Sequence, residues 1–260
     1  MKRTMLLSFF VLFLAFNGYA EVKKDSVRVL LIGNSYTYFN DLPKTIQKIA
    51  ATQGVNIAYT QFTPGGAYLA GHVKNEKIIQ AIKQGGWDYV IIQEQSAAPA
   101  MPTKTVIENT YPAAYTLDSL ILAHSKQAKV LFYMTWGHKY GCQEEVADYP
   151  LISTYGGMQE RLKTTYLEMA YQNKAWCAPV GMAWQRVRNE RPNYQLYEAD
   201  CSHPSSLGSY LAANVIFSTI YRQPYQTQET MGIPSEQAEY IQQVAQQTVL
   251  NNLRLLNIKE

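Results

Sequence analysis

The stretch Val27-Arg-Val-Leu-Leu-Ile-Gly-Asn-Ser35 constrains the fold more than any other part of the chain. It begins as a short, nearly continuous run of β-branched and leucine residues, which suits a strand buried on both faces of a parallel sheet. The run stops at Gly33-Asn34-Ser35. In α/β folds, ligands gather at the carboxyl ends of such strands. A glycine there lets the chain turn sharply, and the serine two residues on then presents its hydroxyl at the sheet edge. Asn34 and Ser35 are also good helix-capping types, so the same residues read equally as a cap.

Further along, strand-like and helical patterns alternate. Residues 55–62, 87–92, 130–134 and 175–180 read as strands. Helical spacing of apolar residues covers 42–51, 73–84, 105–125, 155–172, 183–189, the segment opened by Pro204, and 235–256. Pro112 implies a kink or a late start in the third of these. The alternation predicts an α/β fold, three layers of α/β/α around a central parallel sheet of about five strands. No repeat or linker divides residues 21–260, which read as one domain.

The first twenty residues read as a secretion signal. Lys2 and Arg3 form a basic start, Met5 to Phe16 an apolar stretch, and Gly18-Tyr19-Ala20 a small-residue cleavage site. The apolar stretch is short for a membrane span, and no cysteine follows the cleavage site to carry a lipid. The expected product is exported, periplasmic or secreted, with no membrane anchor. Loss of Lys2 and Arg3 lowers the net charge from +3 to +1. Nucleic acid is therefore not the expected partner, because phosphate neutralisation needs clustered Lys and Arg. Nothing in the sequence sets an oligomeric state.

The cysteines are Cys142, Cys177 and Cys201. Cys177 lies in an apolar run and reads as a buried small hydrophobe, while Cys142 and Cys201 both lie in loops, which leaves a bridge between them open. No metal-ligand spacing occurs, and no Walker loop, GxGxxG or HExxH is present, so neither metal nor cofactor is expected. The Ser35 turn also lacks the second glycine of a G-x-S-x-G elbow.

A second chemical stretch is Asp200-Cys-Ser-His203, just ahead of a helix. Its spacing lets one loop present an imidazole with a carboxylate in reach, an arrangement that can take a proton from a serine. Taken with Gly33-Asn-Ser35, and with Gly65-Gly66 after the second strand, the chain resembles the SGNH (GDSL-type) hydrolases, which have a flavodoxin-like fold. Asn34 stands where that family more usually has Asp. The subset it resembles most is the SGNH-like group called domain of unknown function 4886. Trp87-Asp-Tyr-Val-Ile-Ile-Gln-Glu-Gln-Ser96, Thr135-Trp-Gly137 and His203-Pro-Ser-Ser-Leu-Gly-Ser-Tyr210 carry that second likeness, and the resemblance covers residues 27–222.

The resemblance implies an esterase in which Ser35 is the nucleophile, His203 the general base and Asp200 its orienting acid. It also implies an oxyanion hole from the backbone of Ser35 and Gly66. The family's third block, G-x-N-D, is missing, and the third strand runs into Gln93-Glu-Gln95 instead. A glutamine carries the same amide donor on a longer arm, so Gln93 or Gln95 can substitute. Asn34, Trp136 and His138 are the residues expected to meet substrate, with His72 and Glu94 as further candidates; His124, in a helix, reads as structural. Trp136, Tyr140, Tyr149, Tyr155, Tyr194 and Tyr197, in or beside two long connections, serve either to stack on sugar faces or to pack. The expected substrate is a small-molecule or glycan ester, with O-acetyl carbohydrate foremost. The alternatives are a lipid or thioester hydrolase on the same fold, and a glycan-binding protein with an idle site.

Overall fold

The computed structural model describes residues 26–143 and 149–258. The expected secretion signal lies outside them. Five parallel strands form the sheet: β1 (Val27–Ile32), β2 (Ile57–Phe62), β3 (Tyr89–Ile92), β4 (Lys129–Tyr133) and β5 (Trp176–Ala178). They are ordered β2-β1-β3-β4-β5. Both neighbours of β1 pair with it in parallel, Leu31 lying opposite Gln61 on one side and Ile91 on the other. That central position explains the uninterrupted apolar run, since Val29 to Ile32 are all buried.

The helices are α1 (Ser35–Tyr38), α2 (Leu42–Thr52), α3 (Leu69–His72), α4 (Glu76–Gln84), α5 (Thr103–Thr105), α6 (Tyr111–His124), α7 (Tyr155–Gln172), α8 (Val180–Glu190), α9 (Ser206–Tyr221) and α10 (Ser235–Leu250). Helices α2, α8 and α10 pack on α9, while α4 and α7 pack on α6, giving a layer on each side of the sheet. This is the three-layer α/β/α architecture expected from the alternation. Helix α9 is buried at every position from Leu207 to Ile220. Its polar interruption, Asn214, is satisfied there: its side-chain oxygen accepts from the Tyr225 hydroxyl at 2.8 Å, and its nitrogen donates to the Tyr210 carbonyl.

Several boundaries differ from expectation. The helix read over 73–84 begins only at Glu76, where the Asn75 side chain caps α4, and the short α3 lies ahead of it. Ahead of Pro112 the chain runs through a π-helical turn, Val106–Thr110, rather than a kink or a late start. Proline offers no N–H to the carbonyl four residues back, and the wider spacing just before it absorbs the missing bond. The tail helix ends at Leu250 and continues in turns. No disulfide forms among the described residues, so the open bridge between Cys142 and Cys201 is absent.

The strand order places the switch in winding direction at β1, with β2 on one side and β3 on the other. Connections leaving the carboxyl ends of β1 and β3 therefore diverge and open a crevice between them. Ser35 follows β1, and Gln93 to Ser96 follow β3.

Candidate active site

Ser35 is the first residue of α1, immediately after the turn that ends β1. Asn34 caps that helix, its side-chain oxygen accepting from the Tyr36 N–H at 3.1 Å. Capping does not exclude a chemical role for Ser35, because the Asn34 side chain makes the cap and leaves the serine hydroxyl available. The Ser35 Oγ lies 2.9 Å from His203 Nε2, and His203 Nδ1 lies 2.5 Å from Asp200 Oδ2. Asp200 as acceptor fixes the proton on Nδ1, which leaves Nε2 to accept from the serine.

The Asp200–His203 loop is held from within. The other Asp200 oxygen accepts the backbone N–H groups of Ser202 and His203, both at 2.9 Å. Cys201, between them, takes a left-handed conformation at φ 62° that turns the loop back on itself. Partial burial raises the Asp200 pKa, but the Ser202 amide, the imidazole and the His203 amide outweigh it and hold the carboxyl below its ordinary value. Phe39 stacks on the imidazole with centroids 4.3 Å apart, and Tyr36 meets it edge-on at 5.6 Å. Left-handed Asn40 and Asp41, at φ 51° and 52°, form the sharp turn that follows Phe39. The Asn40 amide nitrogen ties that turn to the histidine loop through the Pro204 carbonyl and the Ser209 hydroxyl, each at 2.9 Å.

These groups face a cavity of about 420 Å³ lined also by Tyr38, Gly65, Gly66, Gln95, Ser96 and Ser202. Gly66 has φ +68°, and a Cβ there would meet open space. The two glutamines separate. Gln93 is fully buried, and its side-chain oxygen accepts from the Asn34 N–H and the Thr37 hydroxyl, both at 2.9 Å. Its amide nitrogen is taken by the Glu94 carbonyl. Gln93 is not part of the cavity lining, so the expectation that it could stand in for the missing asparagine is corrected. Gln95 lines the cavity, with its oxygen accepting the Ala97 and Ala98 N–H groups and its amide nitrogen 3.3 Å from Ser96 Oγ.

Other expected contacts are also relocated. Trp136 is fully buried between Tyr36, at 4.6 Å, and Trp184, at 3.9 Å, so it supports the site from beneath rather than meeting substrate. Asn34 does line the cavity, while its side chain caps α1 and its nitrogen donates to the Ala67 carbonyl at 3.0 Å, which fastens the Gly65–Ala67 turn to β1. His138 stands one residue behind the cavity wall, its Nε2 3.2 Å from the Ser96 hydroxyl. His72 is buried and its Nε2–H donates to the Gly33 carbonyl, while burial pushes its pKa down. Glu94 is buried too, accepting from the Leu69 N–H at 2.9 Å and the Gln95 N–H at 2.7 Å. His124 is exposed at the end of α6. Of the loop tyrosines, Tyr197 donates to the Gly137 carbonyl, Tyr155 lies under Arg188, Tyr194 meets Tyr240 edge-on and Tyr149 packs against the core, while Tyr140 is exposed. Among the described residues, no group of three or more His, Cys, Asp or Glu is placed to hold a metal ion.

The chain matches no family model, and no curated protein matches it. Solved structures do match. A protein described as an SGNH hydrolase, from Slackia heliotrinireducens, superimposes with a TM-score of 0.62 at 28% identity, over 75% of this chain and 100% of that one. A DUF4886 family protein from Bacteroides uniformis gives 0.70 at 18% identity, over 90% and 97%. This chain has the SGNH hydrolase fold. An acetyl xylan esterase shares the fold at a TM-score of 0.55 and 13% identity, over 75% of this chain and 100% of that one.

In this SGNH fold, the residues that sequence reasoning missed are Phe39, Ser96 and Ser202. Phe39 lies only four residues beyond Ser35, so proximity to the nucleophile was the available signal. Ser96 and Ser202 carried none, since a loop serine looks the same whether or not it faces a cavity.

Proposed function

We propose that the protein is a serine esterase in which Ser35 attacks the carbonyl carbon of an ester. The observation that carries this reading is the continuous hydrogen-bonded line from Ser35 Oγ through His203 to Asp200, opening onto a cavity. His203 Nε2 takes the serine proton as the Oγ–carbon bond forms, and Asp200 stabilises the imidazolium. The oxyanion is met by the backbone N–H groups of Ser35 and Gly66, with the Gln95 amide as the side-chain donor. As the first amide of α1, the Ser35 N–H has no carbonyl one turn back to bond. Collapse expels the alcohol, which takes its proton from His203. Water, deprotonated by the same imidazole, then releases the acid and restores the serine.

O-acetyl carbohydrate is the substrate class we favour. A cavity of about 420 Å³ suits a short acyl group better than a long chain. The acetyl xylan esterase on the same fold is a precedent for the chemistry. The basic and apolar pattern of residues 1–20 supports an exported enzyme. The test is hydrolysis of an aryl acetate by the wild-type protein and by Ser35→Ala. The expected loss is roughly 10⁴-fold or more; equal rates would remove Ser35 from the mechanism. A companion series from acetyl to decanoyl esters is expected to fall with chain length.

A further inference from the structure

The cavity has a second polar wall that the proton relay does not use. Ser96 follows β3, Tyr36 lies in α1, and Ser202 belongs to the Asp200–His203 loop, yet their hydroxyls meet. Tyr36 Oη is 2.6 Å from Ser202 Oγ and interacts with the Ser96 hydroxyl as well. His138 Nε2 holds Ser96 from behind at 3.2 Å. The wall is rigid: the Tyr36 ring is stacked on Trp136 at an interplanar angle of 3°, and the Ser202 carbonyl accepts from the Trp136 indole N–H at 3.1 Å.

Each hydroxyl carries one proton and two acceptor lone pairs. The His138 ring, the Tyr36 hydroxyl and the Gln95 amide nitrogen, 3.3 Å away, take up the proton and both lone pairs of Ser96, whereas Ser202 gives one of its three positions to Tyr36 and keeps capacity for a ligand. Both serines line the cavity together with Ser35. Burial keeps Tyr36 a neutral hydroxyl at the centre of the wall. An aryl or alkyl alcohol entering here displaces water from the Ser202 hydroxyl and returns no hydrogen bond. A sugar ring returns one from a hydroxyl it presents.

We propose that Ser202, held against the Tyr36–Ser96 wall, is a subsite that hydrogen-bonds a hydroxyl group of a polyhydroxylated alcohol, a sugar ring, beside the ester that Ser35 attacks. The subsite rests on the esterase reading and names the group that would give it substrate preference. Tyr36, Ser96 and His138 are positioning residues within it.

The experiment compares kcat/KM for a mono-O-acetylated methyl glycoside with that for an aryl acetate, in the full protein and in Ser96→Ala and Ser202→Ala. The ratio of the two constants is the readout, because any unfolded fraction cancels from it. Loss of one hydrogen bond is expected to lower the ratio roughly tenfold in Ser202→Ala, chiefly through KM for the glycoside, and by less in Ser96→Ala, which loosens the wall without removing the ligand contact. An unmoved ratio in Ser202→Ala overturns the subsite and leaves the esterase standing. A wild-type protein that cleaves neither ester overturns the esterase reading and the subsite with it.

Discussion

Asp200 is unusually open for the acid of such a relay: its side chain is 49% exposed, against 28% for His203. Solvent screens a charge so placed, and part of its orienting work is shared by Phe39 stacked on the imidazole. Asp200→Asn is therefore expected to lower kcat by about 10- to 1000-fold, less than the roughly 10⁴-fold known for a buried triad aspartate. Steady-state hydrolysis of an aryl acetate measures it, and a loss as large as that of Ser35→Ala would contradict the reduced role. At this scale the Asp200-x-x-His203 spacing was legible, because both partners lie in one loop. The division of labour between Gln93 and Gln95 was not. It depends on Asn34 and Thr37, whose turn needs an acceptor that only Gln93 supplies, and that pairing spans more than fifty residues of sequence.

At the level of elements, the turn after β1 decides where Ser35 stands. A Cβ at Gly33 would sit 2.4 Å from Thr37 Oγ1 and 2.6 Å from Gln93 Oε1, so any side chain there forces the turn off Gln93. Gly33→Ala is expected to lower kcat on an aryl acetate by about 100-fold, the usual result of displacing a reacting group by an ångström. A rate within about threefold of wild type would show that the turn does not set the geometry. The glycine was legible as the point where the chain leaves the sheet, but the reason it must be glycine was not. Close approach of a side chain from β3 leaves no mark in the sequence around Gly33. Element types came through well, since periodicity reports burial directly. The π-helical turn before Pro112 did not, because the sequence signals a lost hydrogen bond without saying how the backbone absorbs it.

Taken as a whole, the molecule has a buried carboxyl among the links that join the loops at the head of the sheet. Glu94, 2% exposed, links the β3 loop to the Leu69 amide beyond Gly66. Burial raises its pKa to about 7, with the Gln95 and Leu69 amides pulling it back part of the way. The folded protein thus keeps a proton that the unfolded chain loses near pH 4.5, so the stability held through this group is full below that value and is lost as pH rises towards 7. Urea unfolding of wild type and Glu94→Gln at pH 5 and pH 8 is expected to differ in pH dependence by roughly 3 kcal/mol, wild type losing more at the higher pH. Parallel curves would contradict it. The layered sheet was legible from the alternation of strands and helices, whereas the aromatic column of Tyr36, Trp136 and Trp184 was not, because it joins two helices and a loop far apart in sequence, and a loop aromatic such as Trp136 serves stacking on ligand and packing alike. The central claim is that Ser35 is an activated nucleophile. Intact-mass analysis after treatment with a fluorophosphonate tests it most directly: the account predicts a single phosphonyl adduct on Ser35, absent in Ser35→Ala and greatly slowed in His203→Gln, and an unlabelled wild-type protein or an adduct on another residue would contradict it.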